Sequence, residues 1–474
     1  MKSEKYFVVD VTTLLKWNRS PVGIIRTQLE FTNYLLENFQ DVVYFEFNEE
    51  KDNLLPVTKE RIEKKVKQLL DFKNLQVEHN SKLKISKKAN NKYFILLKKI
   101  IHIYKYEGSR QLLIKICNKI CPLKIKNIVK KIYIEFFNKQ STIKNSKNDA
   151  LYFNSIISLT EISIAEKLNV PFLTKNAIVI SIGLDWDYSN YPLLFWLKRK
   201  IGFEFVGSFY DGIPVINPKL VQSYYFSQKF FSHVYYLINL SNRIFCISDF
   251  SKKQMIDICN NHNIDNIPIL KTIHLGDSVF KKPTELNFAP RKHKKDYILY
   301  VSTIESRKNH ILLLKVWQKL QQEEFTNLPD LVFVGMMGWG IDELLALYKN
   351  DEKLQKNVHF YENVDDMELV TIYKNAKFTV FPSFAEGWGL GAVESMLYGK
   401  PCLISTCDAL LEATQGLMPS ASPTDINTWC ELIKEFSTNE EKLDYYKNII
   451  KEKFKSRTWE EFSIDFTKFA KGEI

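Results

Sequence analysis

Two carboxylates frame a glycine-rich stretch from Glu386 to Glu394, where the sequence reads EGWGLGAVE. Glycines let a backbone approach a ligand closely, and the amides at the start of a helix attract negative charge. A carboxylate repels phosphate, but it accepts hydrogen bonds from the neutral hydroxyls of a sugar or a ribose. Amides for phosphate beside carboxylates for hydroxyls indicate a nucleotide-sugar pocket. The simpler alternative is that Glu386 caps a loop and Glu394 is a solvated helix position.

The flanking residues predict the elements that would hold this stretch in place. Phe378–Phe381 is a short apolar run ended by Pro382, which is typical of a buried strand. Glu386–Gly391 is predicted to be a loop, Ala392–Tyr398 a helix and Cys402–Ile404 the next strand. This order of strand, glycine-rich loop, helix and second strand is typical of an anion-binding site.

A second loop of this half of the chain carries two adjacent cations, Arg307 and Lys308. The loop Ser302–Asn309 follows a predicted strand, Tyr297–Val301, and precedes a predicted helix, Ile311–Leu320. Cations at a helix N-terminus suit a diphosphate, because side-chain charge, free amides and the helix dipole converge there. The alternative is a pair of exposed cations after a strand.

The stretch from Pro382 to Pro401 resembles the E-x7-E signature of the retaining glycosyltransferases of family 4, which have the GT-B fold. The matching residues are Glu386, Gly387, Gly389, Glu394, Gly399 and Pro401. The resemblance implies an α/β protein with two Rossmann-like, doubly wound domains that face each other across a cleft. It also implies retention of anomeric configuration, no metal ion, and no cofactor other than the donor substrate, which would be GDP-, UDP- or dTDP-linked.

The resemblance further implies roles for the residues of the two loops. Glu386 would hold the sugar hydroxyls and orient the anomeric carbon, and Glu394 would bind the ribose diol. Lys308, Arg307 and a run of backbone amides would stabilise the departing diphosphate. Those amides belong to Gly387, Trp388, Gly389, Leu390 and Gly391.

Two positions in the N-terminal half match the family less completely. A glycine of the family's first loop lies against the donor phosphates or the acceptor, and Gly23 stands at that position. The alternative, which the sequence supports equally, is that Gly23 only forms a turn. Asp211 and Pro214 match a strand-end motif, His-Asp-x-x-Pro, whose histidine lies close to the transferred sugar. Tyr210 stands in place of that histidine, so the histidine's role is not carried over. Asp211 is retained as a candidate catalytic residue.

Three further positions in the C-terminal half follow from the resemblance. Thr303 stands where many relatives have an arginine, for which Arg307 would compensate. Gly335 and Gly338 lie in a loop that is near the donor in the family. In the N-terminal domain, Ser248 and Ser251 match the serine-rich turn that precedes a helix, where they would contact the acceptor or, as we expect, cap the helix.

Length and pattern predict two domains in this chain of 474 residues. Residues 1–282 would form the acceptor-side domain and 283–296 a linker. Residues 297–455 would form the nucleotide-sugar-binding domain, and a final helix in 456–474 would cross back to the first domain. The alternative is that this helix stays with the second domain.

The basic excess of the chain lies in residues 81–148, which contain eighteen lysines or arginines against two acids. Apolar residues recur there at helical spacing beside lysines, which predicts basic amphipathic helices. Such helices bind anionic membrane surfaces, because the lysines meet the headgroups while the apolar face dips in. The alternatives are a stripe packed on the domain core, and a pattern inflated by the general abundance of Lys, Asn and Ile.

The loops around Asp211 and Arg307 resemble those of the bacterial mannosyl- and rhamnosyltransferases that build surface polysaccharides, and this resemblance implies the same kind of activity. Its acceptor would be a glycan or a lipid-linked glycan, and nucleic acid is not expected as a partner. With no signal peptide, no long apolar run and seven scattered cysteines, we expect a cytoplasmic protein, peripheral on the inner face of the plasma membrane. The alternatives are a glycosyltransferase of soluble metabolites and an inactive GT-B scaffold that binds glycan or protein.

Overall fold

The computed structural model describes residues 4–70, 161–277, 295–364 and 366–474. The first sheet has seven strands in the order β3-β2-β1-β4-β5-β6-β7. Its pairs are parallel except for β2 with β3. The strands are β1 Tyr6–Asp10, β2 Val42–Phe47, β3 Leu54–Val57, β4 Ala177–Ser181, β5 Glu204–Phe209, β6 Arg243–Cys246 and β7 Ile269–Thr272. We call this sheet and the helices around it the N-terminal domain.

The second sheet has six strands in the order β10-β9-β8-β11-β12-β13, all of them parallel. The strands are β8 Tyr297–Val301, β9 Asp330–Val334, β10 Val358–Tyr361, β11 Phe378–Phe381, β12 Cys402–Ser405 and β13 Ser420–Ala421. Helices cover both faces of such a sheet, so its strands are continuous apolar runs, and all four residues of Phe378–Phe381 are buried. We call this sheet and its helices the C-terminal domain.

Helices connect the strands of both sheets. In the N-terminal domain they are α1 Thr12–Lys16, α2 Ile24–Asn38, α3 Lys59–Leu70, α4 Asp185–Tyr188, α5 Tyr191–Ile201, α6 Ile213–Ile216, α7 Tyr224–Leu240 and α8 Asp249–Asn261. In the C-terminal half they are α9 His310–Gln322, α10 Asp342–Lys349, α11 Glu352–Asn357, α12 Asp366–Asn375, α13 Leu390–Leu397, α14 Asp408–Ala413, α15 Ile426–Thr438, α16 Glu440–Lys453 and α17 Trp459–Lys471. Short 3-10 turns occur at Pro218–Leu220 and Ser306–Lys308.

The final helix, α17, packs on the N-terminal domain although it follows the C-terminal one. Its aromatic residues join the core of the first sheet, where Phe466 contacts Phe31 and Phe245 with ring centroids 4.7 and 4.9 Å apart. The helix begins with a capping box between Thr458 and Glu461, which satisfies its first amides. The last segment of the chain therefore ties the two domains together.

The charged pattern of Lys51–Asp71 predicts a helix over this stretch, and the structure differs from that prediction. The stretch contains the antiparallel edge strand Leu54–Val57 before the helix Lys59–Leu70 begins. Pro56 fits that strand because an edge strand tolerates a residue without an amide proton. The basic segment 81–148 and residues 283–294 of the predicted linker lie outside the described residues.

None of the helices in the described part of the chain has the length and hydropathy needed to span a bilayer. Within those same ranges, no group of three or more His, Cys, Asp or Glu side chains is placed to hold one metal ion. Asp185 and Asp187 are two residues apart in an Asp-x-Asp triplet, but they do not face one site. Asp185 is buried and accepts a hydrogen bond from Tyr191, whereas Asp187 is exposed and pairs with Lys229.

A buried pair of carboxylates lies at the carboxyl ends of β1 and β4. Asp10 and Asp185 are 1% and 3% exposed, and both accept a hydrogen bond from the hydroxyl of Ser189. Burial, and after it the neighbouring charge of Asp10, raises the pKa of Asp185 to about 7. Ionising this carboxyl therefore costs more free energy in the folded protein than in the unfolded chain.

We expect Asp185→Asn to gain stability relative to the wild type as the pH rises. A raised folded-state pKa means that the unfolded chain loses its proton first, so wild-type stability falls between about pH 4 and pH 7. Asparagine has no charge to bury, and the difference should grow across that window and level off above it. Thermal unfolding at several pH values measures it, with the exposed Asp187→Asn as control. A difference that does not change with pH would contradict the prediction.

Candidate functional site

The two loops singled out in the sequence meet at the carboxyl ends of β8 and β11, which are neighbours in the second sheet. Arg307 and Lys308 lie in the 3-10 turn after β8, and Glu386 follows β11 by five residues. The carboxyl edge of an open parallel sheet is the usual place for a ligand. The fold therefore brings a carboxylate and two cations together that are 78 and 79 residues apart in sequence.

Glu386 accepts hydrogen bonds on both carboxylate oxygens. Nζ of Lys308 lies 2.6 and 2.7 Å from the two oxygens, and Nη1 of Arg307 lies 2.9 Å from Oε2. The hydroxyl of Ser383 donates to Oε1 at 2.7 Å. The side chain of Glu386 is 10% exposed, and those of Lys308 and Arg307 are 16% and 17% exposed. Both oxygens of the carboxylate are therefore engaged by side chains of the protein itself.

The charges of this cluster shift one another strongly. Burial alone would raise the pKa of Glu386, but Lys308 and Arg307 outweigh burial and lower it to about 2. Glu386 is therefore ionised at neutral pH. Burial lowers the pKa of Lys308, and the adjacent carboxylate opposes that effect. The site holds a fixed negative charge between two cations.

Arg307 is held by more than Glu386. Its Nε and Nη2 lie 3.2 and 2.9 Å from Oε1 of Glu305, and its Nη1 also donates to the carbonyl of Ala385. The next residue but one, Asn309, adopts a left-handed conformation, with φ of 60°, and donates to the carbonyls of Pro382 and Pro423. The two loops are thus joined by the backbone and by side chains.

The glycine-rich turn differs slightly from its prediction. Helix α13 begins at Leu390 rather than Ala392, so Leu390 and Gly391 belong to its first turn. Gly389 is the N-cap with φ of 129°, and a Cβ there would lie 2.6 Å from Leu410. A Cβ at Gly391 would lie 3.0 Å from the carbonyl of Val301 at the end of β8. The first amides of a helix have no intrahelical acceptor, so the turn presents donors beside the cluster.

Glu394 lies inside α13, half-buried, and has a partner that the sequence reasoning did not include. The hydroxyl of Tyr373 lies 3.1 Å from its Oε2 and 3.2 Å from the carbonyl of Gly391. Tyr373 is fully buried and stands in α12, so its hydroxyl orients the carboxylate from the protein side. A tyrosine inside an amphipathic helix gives no local sign of this contact.

Thr303, Gly335 and Gly338 come together where the loops after β8 and β9 touch. A Cβ at Gly338 would lie 3.1 Å from Cγ2 of Thr303, and one at Gly335 would lie 1.9 Å from the carbonyl of Ser302. Gly335 also has φ of 156°, and its amide donates to the carbonyl of Tyr361 at 3.0 Å. The two glycines let these loops pack closely, and Thr303 stays exposed.

Asp211 and Tyr210 follow β5 of the N-terminal domain and lie against Gly387. A Cβ at Gly387 would lie 2.5 Å from the carbonyl of Tyr210 and 3.1 Å from Cβ of Asp211. Burial raises the pKa of Asp211, and the charge of Arg307 works against that effect. The hydroxyl of Tyr210 donates to the carbonyl of Ile182 at 2.7 Å, and its side chain is buried. Tyr210 therefore contacts the site through its backbone carbonyl, whereas its hydroxyl is bonded to Ile182.

Gly23 is the N-cap of α2, with φ of 52° and open space around the position of a Cβ. No contact joins it to the Glu386 cluster among the interactions of the described residues. Arg19, four residues earlier, lies 3.8 Å from the sulfur of Met336 in the loop after β9. The first loop of the N-terminal domain thus approaches the same end of the C-terminal sheet that carries Gly335.

Residues 281–453 match the family model described as glycosyl transferases group 1. O-antigen chain mannosyltransferase B of Escherichia coli is 31% identical over 187 residues, which cover 39% of this chain and 48% of that protein. O-antigen chain mannosyltransferase RfbU of Salmonella typhimurium is 22% identical over 276 residues, 55% of this chain and 74% of that protein. The chain therefore spans about half the length of the Escherichia coli relative.

Two solved structures share the fold. The N-terminal domain of trehalose-6-phosphate phosphatase from Candida albicans has a TM-score of 0.57 at 11% identity, over 99% of this chain and 97% of that chain. A UDP-forming trehalose-phosphate synthase from Burkholderia xenovorans has a TM-score of 0.51 at 10% identity, over 69% and 80%. At these identities the likeness concerns the fold alone. The two Rossmann-like domains of the GT-B fold, predicted from the sequence, are confirmed.

Proposed function

We propose that this protein, whose residues 281–453 match the group 1 glycosyltransferase model, is a retaining, metal-independent glycosyltransferase. It moves a hexose or deoxyhexose from a nucleotide sugar to a glycan or lipid-linked glycan acceptor in the synthesis of a surface polysaccharide. The observation that carries the proposal is the buried cluster of Glu386, Lys308 and Arg307 beside the glycine-rich turn.

The named activity of the two bacterial relatives supports mannose as the first sugar to test. Both are O-antigen mannosyltransferases by name, and one matches this chain over 55% of its length. GDP-mannose is therefore the donor that we propose first, with UDP- and dTDP-linked hexoses as the other candidates. The base of the nucleotide would be selected by residues outside the cluster of Glu386, Lys308 and Arg307, because that cluster faces the diphosphate.

The diphosphate of the donor competes with Glu386 for the two cations. Among the ion pairs of the described residues, Lys308 pairs with Glu386, and Arg307 pairs with Glu386 and Glu305. The charges of both cations also act on Asp211. A diphosphate carries more negative charge than a carboxylate and forms charge-assisted hydrogen bonds with both cation types. Donor binding thus draws the cations toward phosphate, and the oxygens of Glu386 become acceptors for sugar hydroxyls.

Glu394 and the amides of the glycine-rich turn complete the donor site in this proposal. Tyr373 fixes one oxygen of Glu394, which leaves the carboxylate oriented to accept the two hydroxyls of a ribose. The amides at the start of α13 face the diphosphate, where the helix dipole favours negative charge. Gly335, Gly338 and Thr303 form the wall of the site on the side of β9.

The transfer step needs no protein nucleophile. The bond between the anomeric carbon and the diphosphate oxygen breaks, and the diphosphate leaves with the electron pair. The acceptor hydroxyl attacks the same face of the sugar, and its proton passes to the departing phosphate oxygen. Lys308 and Arg307 stabilise the negative charge that develops on the leaving group. The Tyr210 hydroxyl is bonded to the carbonyl of Ile182, so this side chain does not take the place of the histidine in the family motif.

The product of the reaction tests this proposal. The purified protein is incubated with GDP-mannose and either mannose oligosaccharides or a bacterial lipid extract, and the products are analysed by mass spectrometry. We expect one hexose to be added in one of the two acceptor pools, with the anomeric configuration of the donor in the nuclear magnetic resonance spectrum. An inverted linkage would refute retention. No transfer from GDP-, UDP- or dTDP-linked sugars would refute the activity.

We also propose that the protein docks on the cytoplasmic membrane face through the basic segment 81–148. The support is the charge of that segment together with the lipid-linked acceptors that such transferases use. Flotation with anionic liposomes tests it, in comparison with a variant in which Lys98, Lys99, Lys130 and Lys131 are replaced by glutamine. The wild type should float with the liposomes, and the variant should remain in the dense fraction. Equal flotation of both proteins would refute the proposal.

A further inference from the structure

The carbonyl of Gly387, the residue after Glu386, is held by the N-terminal domain. The hydroxyl of Ser248 donates to this oxygen at 2.9 Å, and the hydroxyl of Ser251 lies 3.3 Å from it. Ser251 also donates to the carbonyl of Tyr210 at 2.8 Å. Both serine side chains are fully buried. A backbone carbonyl of the C-terminal domain thus contacts two serine hydroxyls of the N-terminal domain.

Only glycine fits at position 387, because any side chain there would clash with the N-terminal domain. A Cβ at Gly387 would lie 2.5 Å from the carbonyl of Tyr210 and 3.1 Å from Cβ of Asp211. The first of these distances is to a backbone atom, which cannot rotate away. The contact therefore requires the backbone of Gly387 to enter between the strand end of β5 and the start of α8.

The chain just before Glu386 is anchored on the opposite side, by the C-terminal domain. The carbonyl of Ser383 accepts a hydrogen bond from Ser405 at 2.6 Å, and Arg307 donates to the carbonyl of Ala385. Glu386 thus lies between one anchor from its own domain and one from the other domain. Its backbone is restrained on both sides only while the two domains are in contact.

Neighbouring contacts show that this part of the interface is built from polar and aromatic partners. Glu412 of the C-terminal domain accepts hydrogen bonds from the amides of Asp249 and Phe250, at 2.7 and 3.0 Å, at the start of α8. The ring of Trp388 stacks on His274 of the N-terminal domain, with centroids 4.7 Å apart. The residues that flank Gly387 and Ser248 thus hold the same two surfaces together.

We propose that Ser248 and Ser251 are positioning residues that hold the segment Glu386–Gly387 in its reactive conformation through the contact between the two domains. They act through the carbonyl of Gly387 and do not touch the substrate. This contact restrains Glu386 while the two cations bind the donor diphosphate. The inference rests on the proposed function, because it assigns a role within the proposed transfer site.

A matched pair of substitutions separates this role from helix capping. Ser248 is also the N-cap of α8, where its hydroxyl accepts a hydrogen bond from the amide of Ser251 at 2.9 Å. Asparagine and aspartate cap helices as well as serine does. Ser248→Asn keeps a donor for the carbonyl of Gly387, whereas Ser248→Asp keeps the cap and loses the donor. The two side chains have nearly the same size, so packing costs are shared.

Hydrogen exchange and kinetics are measured on the full chain of the wild type and both variants. In Ser248→Asp we expect the amides of residues 386–391 to exchange about tenfold faster, and the turnover of GDP-mannose to fall about tenfold with KM changed less than about threefold. Ser248→Asn should stay within about threefold of the wild type in both measurements, since one neutral hydrogen bond is retained. Exchange in residues 249–261 should be equal in the two variants, because both keep the cap.

Each result bears on the inference. Equal exchange and equal turnover in the two variants would overturn it, as would a loss confined to KM. If the wild type neither binds nor turns over GDP-, UDP- or dTDP-linked sugars, the proposed function fails and the inference fails with it. An active wild type with indistinguishable variants overturns the inference alone.

Discussion

Glu386→Gln should slow transfer strongly and at the same time tighten the binding of the nucleoside diphosphate. Lys308 and Arg307 are bonded to this carboxylate in the structure, so in the proposed mechanism the diphosphate competes with it for the two cations. A neutral glutamine competes weakly, and we expect the affinity for GDP to rise about tenfold, or about 1.4 kcal/mol. Turnover should fall about 10²- to 10³-fold, because the group that orients the sugar loses its charge.

Calorimetric titration with GDP and the release of GDP from GDP-mannose give the two quantities. Glu343→Gln is the control, since Glu343 is 78% exposed and pairs only with Lys315 in the C-terminal domain. Weaker GDP binding in Glu386→Gln would mean that the carboxylate does not compete with the diphosphate. If the Glu386→Gln variant keeps its turnover, Glu386 is not a catalytic residue.

Lys308→Met should change diphosphate affinity in the opposite direction. Hydrogen bonds to charged groups contribute about 1.5 to 3 kcal/mol, so the loss of Nζ should weaken GDP binding about 10- to 100-fold. The substitution also removes the closest partner of a buried carboxylate, and the melting temperature should fall. Turnover should fall with it, because less charge faces the leaving group.

Titration and thermal unfolding measure these effects, and Lys315→Met is the control, since its side chain is 44% exposed. The pair of variants gives a sharper test than either one alone. Opposite shifts in GDP affinity are expected for Glu386→Gln and Lys308→Met. Shifts of the same sign would contradict the exchange of partners on which the mechanism depends.

The fold and the components of the site were predictable because both leave local signals. Buried parallel strands are uninterrupted apolar runs, so β1, β8, β9 and β11 could be read from short stretches of sequence. The glycines and carboxylates of the site are close together in the chain and match one motif. The strand Leu54–Val57 was missed because a proline-containing edge strand lacks the apolar pattern of a buried one.

The arrangement of the site could not be predicted, because its contacts join distant parts of the chain. Lys308 and Glu386 were assigned separate partners in the donor, whereas the structure bonds them to each other across 78 residues. Ser248 and Gly387 are 139 residues apart and meet only because two domains pack together. Helix capping by Ser248 was predicted and is confirmed, since a cap depends on the next three residues.

The position of Tyr210 shows a similar limit. The sequence has a tyrosine where the family motif has a histidine, and that observation alone leaves the direction of the hydroxyl open. The structure directs it to the carbonyl of Ile182, away from Gly387. Ile182 follows β4 and Tyr210 follows β5, so the bond joins the ends of two strands that are distant in sequence and paired in the sheet.

Calorimetric titration of the wild-type protein with GDP, UDP, dTDP, ADP and CDP tests the central claim most directly. We expect one of these nucleotides to bind with a dissociation constant in the micromolar range, and its nucleoside without phosphate to bind far more weakly. Binding should need no divalent cation and should survive chelation. If none of the five binds, or if the nucleoside binds as well as its diphosphate, the cluster of Glu386, Lys308 and Arg307 is not a donor site.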